Sequence, residues 1–81
     1  MPFVYILKSL KHPKTYVGST VDLEKRLKEH NKGFSEFSSK FRPWTLVYKE
    51  KCENIKEARL REKYFKSAAG RRFIRNTIFR H

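Results

Sequence analysis

Five residues of this sequence put reactive groups where packing would favour apolar ones or nothing in particular: Tyr5, Tyr16, Arg26, His30 and Glu62. Together they hold two phenols, a guanidinium, an imidazole and a carboxylate. Hydrolysis of a phosphodiester needs a group that takes a proton from water and a cation on the scissile phosphate. It also needs a carboxylate-held divalent metal for the leaving oxygen. The five residues can supply each of these. Each also has a plainer reading. A strand tyrosine packs in a sheet, an arginine at the edge of a helix stripe snorkels, and a histidine near a helix C-terminus offsets the dipole. For Glu62, a salt bridge to a nearby Lys or Arg and a metal site fit equally well.

The elements that must position these groups are legible in order. Residues 3–8 are β-branched and aromatic and read as a buried strand. Lys11-His12-Pro13-Lys14 is a turn, because proline fixes φ and lacks the N–H that a ladder needs. Thr15 to Ser19 is a second strand, and the short connection makes the pair an antiparallel hairpin. On a period of two, Phe3, Tyr5 and Leu7 share one face, and Tyr16 and Gly18 share one face of the second strand.

A helix follows, with Thr20 as a cap, Asp22 at its positive end and Gly33 as its stop. Its apolar template runs through Leu23, position 26, Leu27 and position 30, so Arg26 and His30 interrupt the stripe one turn apart. Residues 32–42 mix serine, aromatics and cations and read as a loop. Its hydroxyls and cations can meet phosphate, and its rings can stack on bases. The plainer expectation is that Phe34, Phe37 or Phe41 tucks into the core. Trp44 to Tyr48 is a third strand. Asn54 to Glu57 is a capping-box pattern opening a helix to about Phe65, with a stripe of Ile55, Ala58, position 62 and Phe65. Glu62 sits in that stripe, where a carboxylate is costly without a partner. Residues 67–70 break the pattern, and Arg71 to Phe79 offers a last short helix with Phe73, Ile74 and Ile78 inward and Arg71, Arg72, Arg75 and Arg80 outward.

The totals narrow the class. A chain of 81 residues is expected to be one domain, 1–81, with one small core. Its 20 Lys and Arg against 8 acids give a net charge of +12, spread along the chain. Such a field attracts polyanions, and nucleic acid fits it better than a membrane surface, since no single basic amphipathic helix carries the charge. No apolar run is long enough to span a bilayer and no signal-peptide pattern opens the chain, so a cytoplasmic location is expected. The single cysteine, Cys52, cannot form an internal disulfide and reads as a small strand-end residue. With three glycines there is no Gly-rich phosphate loop. No Cys/His spacing supports a structural zinc site, and no serine nucleophile elbow is present.

Several stretches are more specific than any single residue. Val4-Tyr5-Ile6 and Tyr16-Val17-Gly18 form a pair of tyrosine motifs, and the block continues from Tyr16 through Arg26, His30 and Asn31 to Gly33. Arg42-Pro43-Trp44 and the Ala58-to-Lys66 segment containing Arg61-Glu62-Lys63 follow. In these the chain resembles a GIY-YIG nuclease domain of the small stand-alone bacterial type, similar to the N-terminal domain of excinuclease C. The likeness covers essentially the whole sequence.

The resemblance implies an α+β fold, a three-stranded antiparallel sheet flanked by helices in the order β-β-α-β-α-α. It implies metal-dependent endonuclease activity on DNA, loosely specific or structure-specific, in repair or recombination. Tyr5 would act as base or position the attacking water, and His30 would take its proton. Tyr16 would orient phosphate or water, Arg26 would stabilise the phosphate charge, and Glu62 would hold one Mg²⁺ or Mn²⁺. For Tyr5 to act as a base, neighbouring cations and His30 must lower its pKa from about 10. Asn76 stands at a compatible distance for an asparagine that many members carry after the metal glutamate. Ser19, Lys32, Ser38, Lys40, Arg42, Lys66, Arg71 and Arg72 are expected to contact nucleic acid. A homodimer or a partner in a repair complex is compatible with the reading. A catalytically weak nucleic-acid-binding module is the alternative.

Overall fold

The computed structural model describes residues 1–33 and 35–77. Three strands, β1 (Phe3–Ser9), β2 (Thr15–Thr20) and β3 (Trp44–Lys51), form one antiparallel sheet in the order β2-β1-β3. Four helices accompany them: α1 (Leu23–Lys32), α2 (Glu36–Phe41), α3 (Ile55–Lys66) and α4 (Ala68–Thr77). The expected α+β class and strand–helix order stand. The short helix α2 is an addition, inside the segment expected to be a loop.

β1 is the central strand and is buried on both faces, which is why its sequence is apolar without alternation. Alternate residues therefore serve two separate cores. Val4 and Ile6 join Val17, Ala58, Phe65 and Ile74 beneath α3 and α4. Tyr5 and Leu7 join Trp44, Leu23, Leu27 and Phe41 beneath α1 and α2. Cys52, just beyond β3, is buried in the first core, and burial pushes its thiol pKa up. The register places Tyr5 opposite Gly18 and Leu7 opposite Tyr16, so the expected sharing of faces is what the sheet shows.

Local chemistry sets the helix ends. Asp22, not Thr20, caps α1: its carboxylate accepts from the Lys25 N–H at 3.1 Å. The Thr20 hydroxyl instead accepts from the Asp22 N–H at 3.1 Å, shaping the approach to the helix. Gly33 closes α1 at φ 77°, a left-handed conformation that glycine tolerates best. Ser35 caps α2 and Asn54 caps α3, each accepting from the backbone N–H three residues on. The last helix starts at Ala68, three residues earlier than the sequence suggests, because the Ser67 hydroxyl accepts from the Gly70 N–H at 3.3 Å. Phe73 and Ile74 face inward there, while Ile78 and Arg80 lie outside the described residues.

Ile55 departs from its expected stripe. It is 54% exposed, because α3 meets the sheet only from Ala58 onward. Among the described residues, no helix is long and apolar enough to cross a membrane.

Candidate active site

The first half of the site lies between β1, β2 and α1. Tyr5 and His30 are 2% and 0% exposed, and the Tyr5 hydroxyl lies 3.1 Å from His30 Nε2. Gly18 makes this possible: a Cβ there would stand 2.6 Å from the Tyr5 hydroxyl oxygen and 2.9 Å from the Tyr16 ring. The missing side chain is the space the phenol occupies. Tyr16 is half-buried, with its ring centroid 4.4 Å from that of His30 and 6.2 Å from that of Tyr5. One turn before His30, Arg26 is half-exposed and lies 3.5 Å from Glu29. So the three polar intrusions on this face, together with Tyr16, form one cluster.

The second half lies across the sheet. Glu62 of α3 accepts from the Ser19 hydroxyl at 2.8 Å and from the Lys66 ammonium at 2.7 Å. Side chains alternate along β2, so Ser19 faces α3 while its neighbour Gly18 faces Tyr5. The two halves meet at this edge strand. The carboxylate of Glu62 and the guanidinium of Arg26 both act on the Tyr5 phenol electrostatically.

Electrostatics set the resting protonation. Burial, and next the neighbouring Tyr16, push the Tyr5 pKa well above its ordinary value of 10, with Arg26 opposing. This reverses the expectation that cations would pull the phenol down, because the ring is too deeply desolvated for one half-exposed guanidinium to compensate. Burial, then Arg26, lowers His30 from its ordinary 6.5. Near neutral pH the pair therefore rests as a protonated phenol beside a neutral imidazole. That arrangement can pass a proton from a water, through the phenol, to the imidazole.

Glu62 fits a hard divalent cation. Among the described residues no group of three His, Cys, Asp or Glu is gathered. A caged or thiolate-bound metal has no donors here. A single partly exposed carboxylate already drawing a cation matches Mg²⁺, which keeps several waters and takes one or two carboxylates plus substrate phosphate.

The residues expected to touch nucleic acid divide. Lys32, Lys40, Arg42, Lys66, Arg71 and Arg72 are exposed. Lys66, Arg71, Arg72 and Arg75 line one shallow hollow, and Lys66 and Arg71 also border a second one with Thr15 and Tyr16 at the β2 edge. Ser19 is partly buried and engaged with Glu62. Ser38 is 0% exposed and cannot reach a ligand, so its expected contact with nucleic acid is corrected. It lies on the inner face of α2, 2.7 Å from His30 Nδ1. Of the loop phenylalanines, Phe41 packs into the core, and Phe37 lies against Tyr16 and Trp44 while remaining partly exposed. Phe34 lies outside the described residues. Asn76 is on the exposed side of α4, and no hydrogen bond ties it to Glu62.

One positioning residue escapes the sequence reading. The Asn31 side chain donates to the Trp44 carbonyl at 3.2 Å and accepts from the Trp44 N–H at 2.6 Å, pinning the end of α1 to β3. An amide directly after the candidate histidine is the signal that could have found it.

Comparison with known proteins bears on this geometry. The GIY-YIG catalytic domain model matches residues 1–76. The UPF0213 protein CPE1444 of Clostridium perfringens is 48% identical over 67 residues, 82% of this chain and 71% of that protein. The UPF0213 protein YazA of Bacillus subtilis is 38% identical over 65 residues, 79% of this chain and 65% of that protein. The structure-specific endonuclease subunit SLX1 of Candida dubliniensis is 47% identical over 51 residues, 54% of this chain but only 18% of that protein. No solved structure matches the chain.

Proposed function

Since the chain belongs to the GIY-YIG catalytic domain family, we propose that it is an endonuclease that hydrolyses phosphodiester bonds of DNA, with Glu62 holding one Mg²⁺ or Mn²⁺. The observation that carries the proposal is the buried Tyr5 hydroxyl 3.1 Å from His30 Nε2. A phenol and an imidazole buried side by side with pKa values displaced in this way, at the edge of a basic surface, are the pattern of a functional site.

Each group has a role that fits its surroundings. The Tyr5 oxygen accepts a hydrogen bond from the attacking water. As the water loses a proton to that oxygen, Tyr5 passes its own proton to His30 Nε2. One proton leaves the water, and the imidazole ends as imidazolium. This route never requires a free tyrosinate, in keeping with the raised pKa of Tyr5. Tyr16 orients the phosphate or the water, and Arg26 stabilises charge growing on the phosphate oxygens. A bound divalent ion on Glu62 would supply Lewis-acid stabilisation of the leaving oxygen. The exposed cations of α4, with Lys66, grip the backbone phosphates through charge, in a salt-sensitive way.

The name of the SLX1 relative, a structure-specific endonuclease subunit, favours substrates chosen by structure. Repair or recombination is the matching setting, and a second copy or a repair-complex partner would allow cleavage of both strands.

The test is a cleavage assay on labelled single strands, duplexes, flaps, forks and four-way junctions, with Mg²⁺, Mn²⁺ or chelator, wild type beside Glu62→Ala. Metal-dependent products lost in the variant support the proposal. Tight, salt-sensitive binding with no product on any substrate overturns it in favour of a binding module.

A further inference from the structure

The helix that the sequence hides has one fully buried polar side chain, and that side chain is aimed at the candidate histidine. Ser38 is 0% exposed, and its Oγ lies 2.7 Å from His30 Nδ1. Its position is fixed from three sides. Ser35 donates its hydroxyl to Ser38 Oγ at 3.1 Å, and the Ser38 N–H donates back to Ser35 Oγ at 3.1 Å. The Trp44 indole N–H donates to the Ser38 carbonyl at 3.0 Å. The helix turn is therefore locked while the hydroxyl meets the ring. A fully buried serine has no packing advantage over alanine, since the hydroxyl needs a partner there.

We propose that Ser38 is a positioning residue, whose oxygen accepts the Nδ1–H of His30 and so keeps the Nε2 lone pair facing the Tyr5 hydroxyl. An imidazole presents its lone pair on the nitrogen opposite the one that donates. A serine oxygen can accept from Ser35 and from His30 at once, because it has two lone pairs. When Nε2 gains the proton from Tyr5, Nδ1 remains a donor, so Ser38 serves the neutral and the charged ring without rearranging. Among the described residues, the titratable groups around the ring include Arg26 and Glu29 on α1, Tyr5 on β1 and Tyr16 on β2. β3 contributes the non-titrating Trp44. This inference rests on the proposed nuclease reading for its purpose, but not for its first test.

That test is ¹⁵N NMR of the His30 ring across pH, in wild type, Ser38→Ala and Ser38→Thr, with His30→Gln to assign the signals. The expected wild-type ring is the Nδ1–H tautomer. In Ser38→Ala that preference is lost and the titration midpoint falls, because the imidazolium has lost an acceptor. Ser38→Thr, which keeps the oxygen, restores both. A wild-type ring in the Nε2–H tautomer, or an unchanged ring in Ser38→Ala, overturns the proposal. If Ser38→Ala does not fold, Ser38→Cys, with a weaker acceptor, must show the same displacement in part. On the best substrate, Ser38→Ala should lower kcat by about 10- to 100-fold with KM unchanged, the scale seen when the outer hydrogen-bond partner of a metal-bound histidine is removed. The acid limb of its rate profile should move with the NMR midpoint. A loss of kcat with no movement of that limb marks Ser38 as structural only and sinks the inference. If wild type cleaves nothing while the tautomer result holds, the nuclease reading fails and the role of Ser38 in setting the ring stands.

Discussion

On the α3 and α4 face of the sheet, the charged groups nearest the core are paired with opposite charge. Arg61 grips Glu50 through two hydrogen bonds, at 2.6 and 3.1 Å, and Tyr48 donates to the same carboxylate at 3.0 Å. The Arg61 guanidinium also lies over the rings of Tyr64 and Phe65. All of these polar tips reach the rim, and the core beneath them is apolar. On the α1 and α2 face the polar atoms go inside instead. Tyr5, His30 and Ser38 form a buried neutral chain that ends at the edge strand. The first arrangement ties α3 to β3. The second leaves two titratable groups in unfavourable surroundings with a short path between them. Burial of that kind marks a reactive centre more strongly than an ion pair does.

The contrast can be broken most severely at Tyr5. Tyr5→Phe keeps the ring packing and should reduce cleavage by roughly 10²- to 10⁴-fold, the usual reach of a positioned acid–base group, while the lost hydrogen bond to the buried His30 ring costs about 1–3 kcal/mol in unfolding. A variant that cleaves like wild type would return Tyr5 to sheet packing. Arg26→Ala should lower the turnover number by about 10²- to 10³-fold. Binding measured with chelator present should be nearly unchanged, because the cations of α4 remain. The apolar core of the opposite face should answer only in stability. Phe65→Ala removes a fully buried ring from the apolar core and should cost about 3–5 kcal/mol in denaturant unfolding, at the same rate per folded molecule.

Smaller effects separate the faces by pH. His30 has a depressed folded pKa, so the unfolded chain binds the proton first as pH falls below the ordinary 6.5. The stability that His30 contributes is complete above that value and is lost as pH falls through the folded pKa. His30→Gln should flatten this part of a melting-versus-pH curve. Glu50 is also depressed, held down first by its hydrogen bonds with Arg61. Its contribution is lost as pH falls from the ordinary 4.5 through the folded value, and Arg61→Ala should remove that limb for a cost of ~1 kcal/mol or less, as expected of a partly exposed pair. A pH response of His30→Gln confined to the Glu50 range would erase the distinction between the faces.

Much of this arrangement is legible in the residues. Period-two placement groups Phe3, Tyr5 and Leu7 on one face of β1 and Tyr16 and Gly18 on one face of β2, and the interrupted helix stripe singles out Arg26 and His30. What stays hidden depends on depth. Ser38 in a stretch rich in Lys and Ser reads as a phosphate contact, and only the closure of α2 over β3 shows it to be buried. The helix itself has a signal: Ser35 as cap, Glu36 in the first turn, and Phe37 and Phe41 four apart. A pattern only six residues long, in a segment so mixed, is too short to stand out. The direction of the Tyr5 shift also needs the fold, since the sequence shows the cations but not the desolvation that outweighs them. Thr20 and Asp22 are both capping types, with aspartate the stronger, and the backbone turn places Asp22 at the helix start.

The most direct measurement of the central claim is a double-mutant cycle on Tyr5 and His30, read as single-turnover cleavage of the preferred substrate by wild type, Tyr5→Phe, His30→Gln and the pair. If the phenol and the imidazole move one proton as a unit, the double variant loses no more than the worse single one. If the two losses multiply, the groups act independently, and the 3.1 Å contact between them is packing and not chemistry.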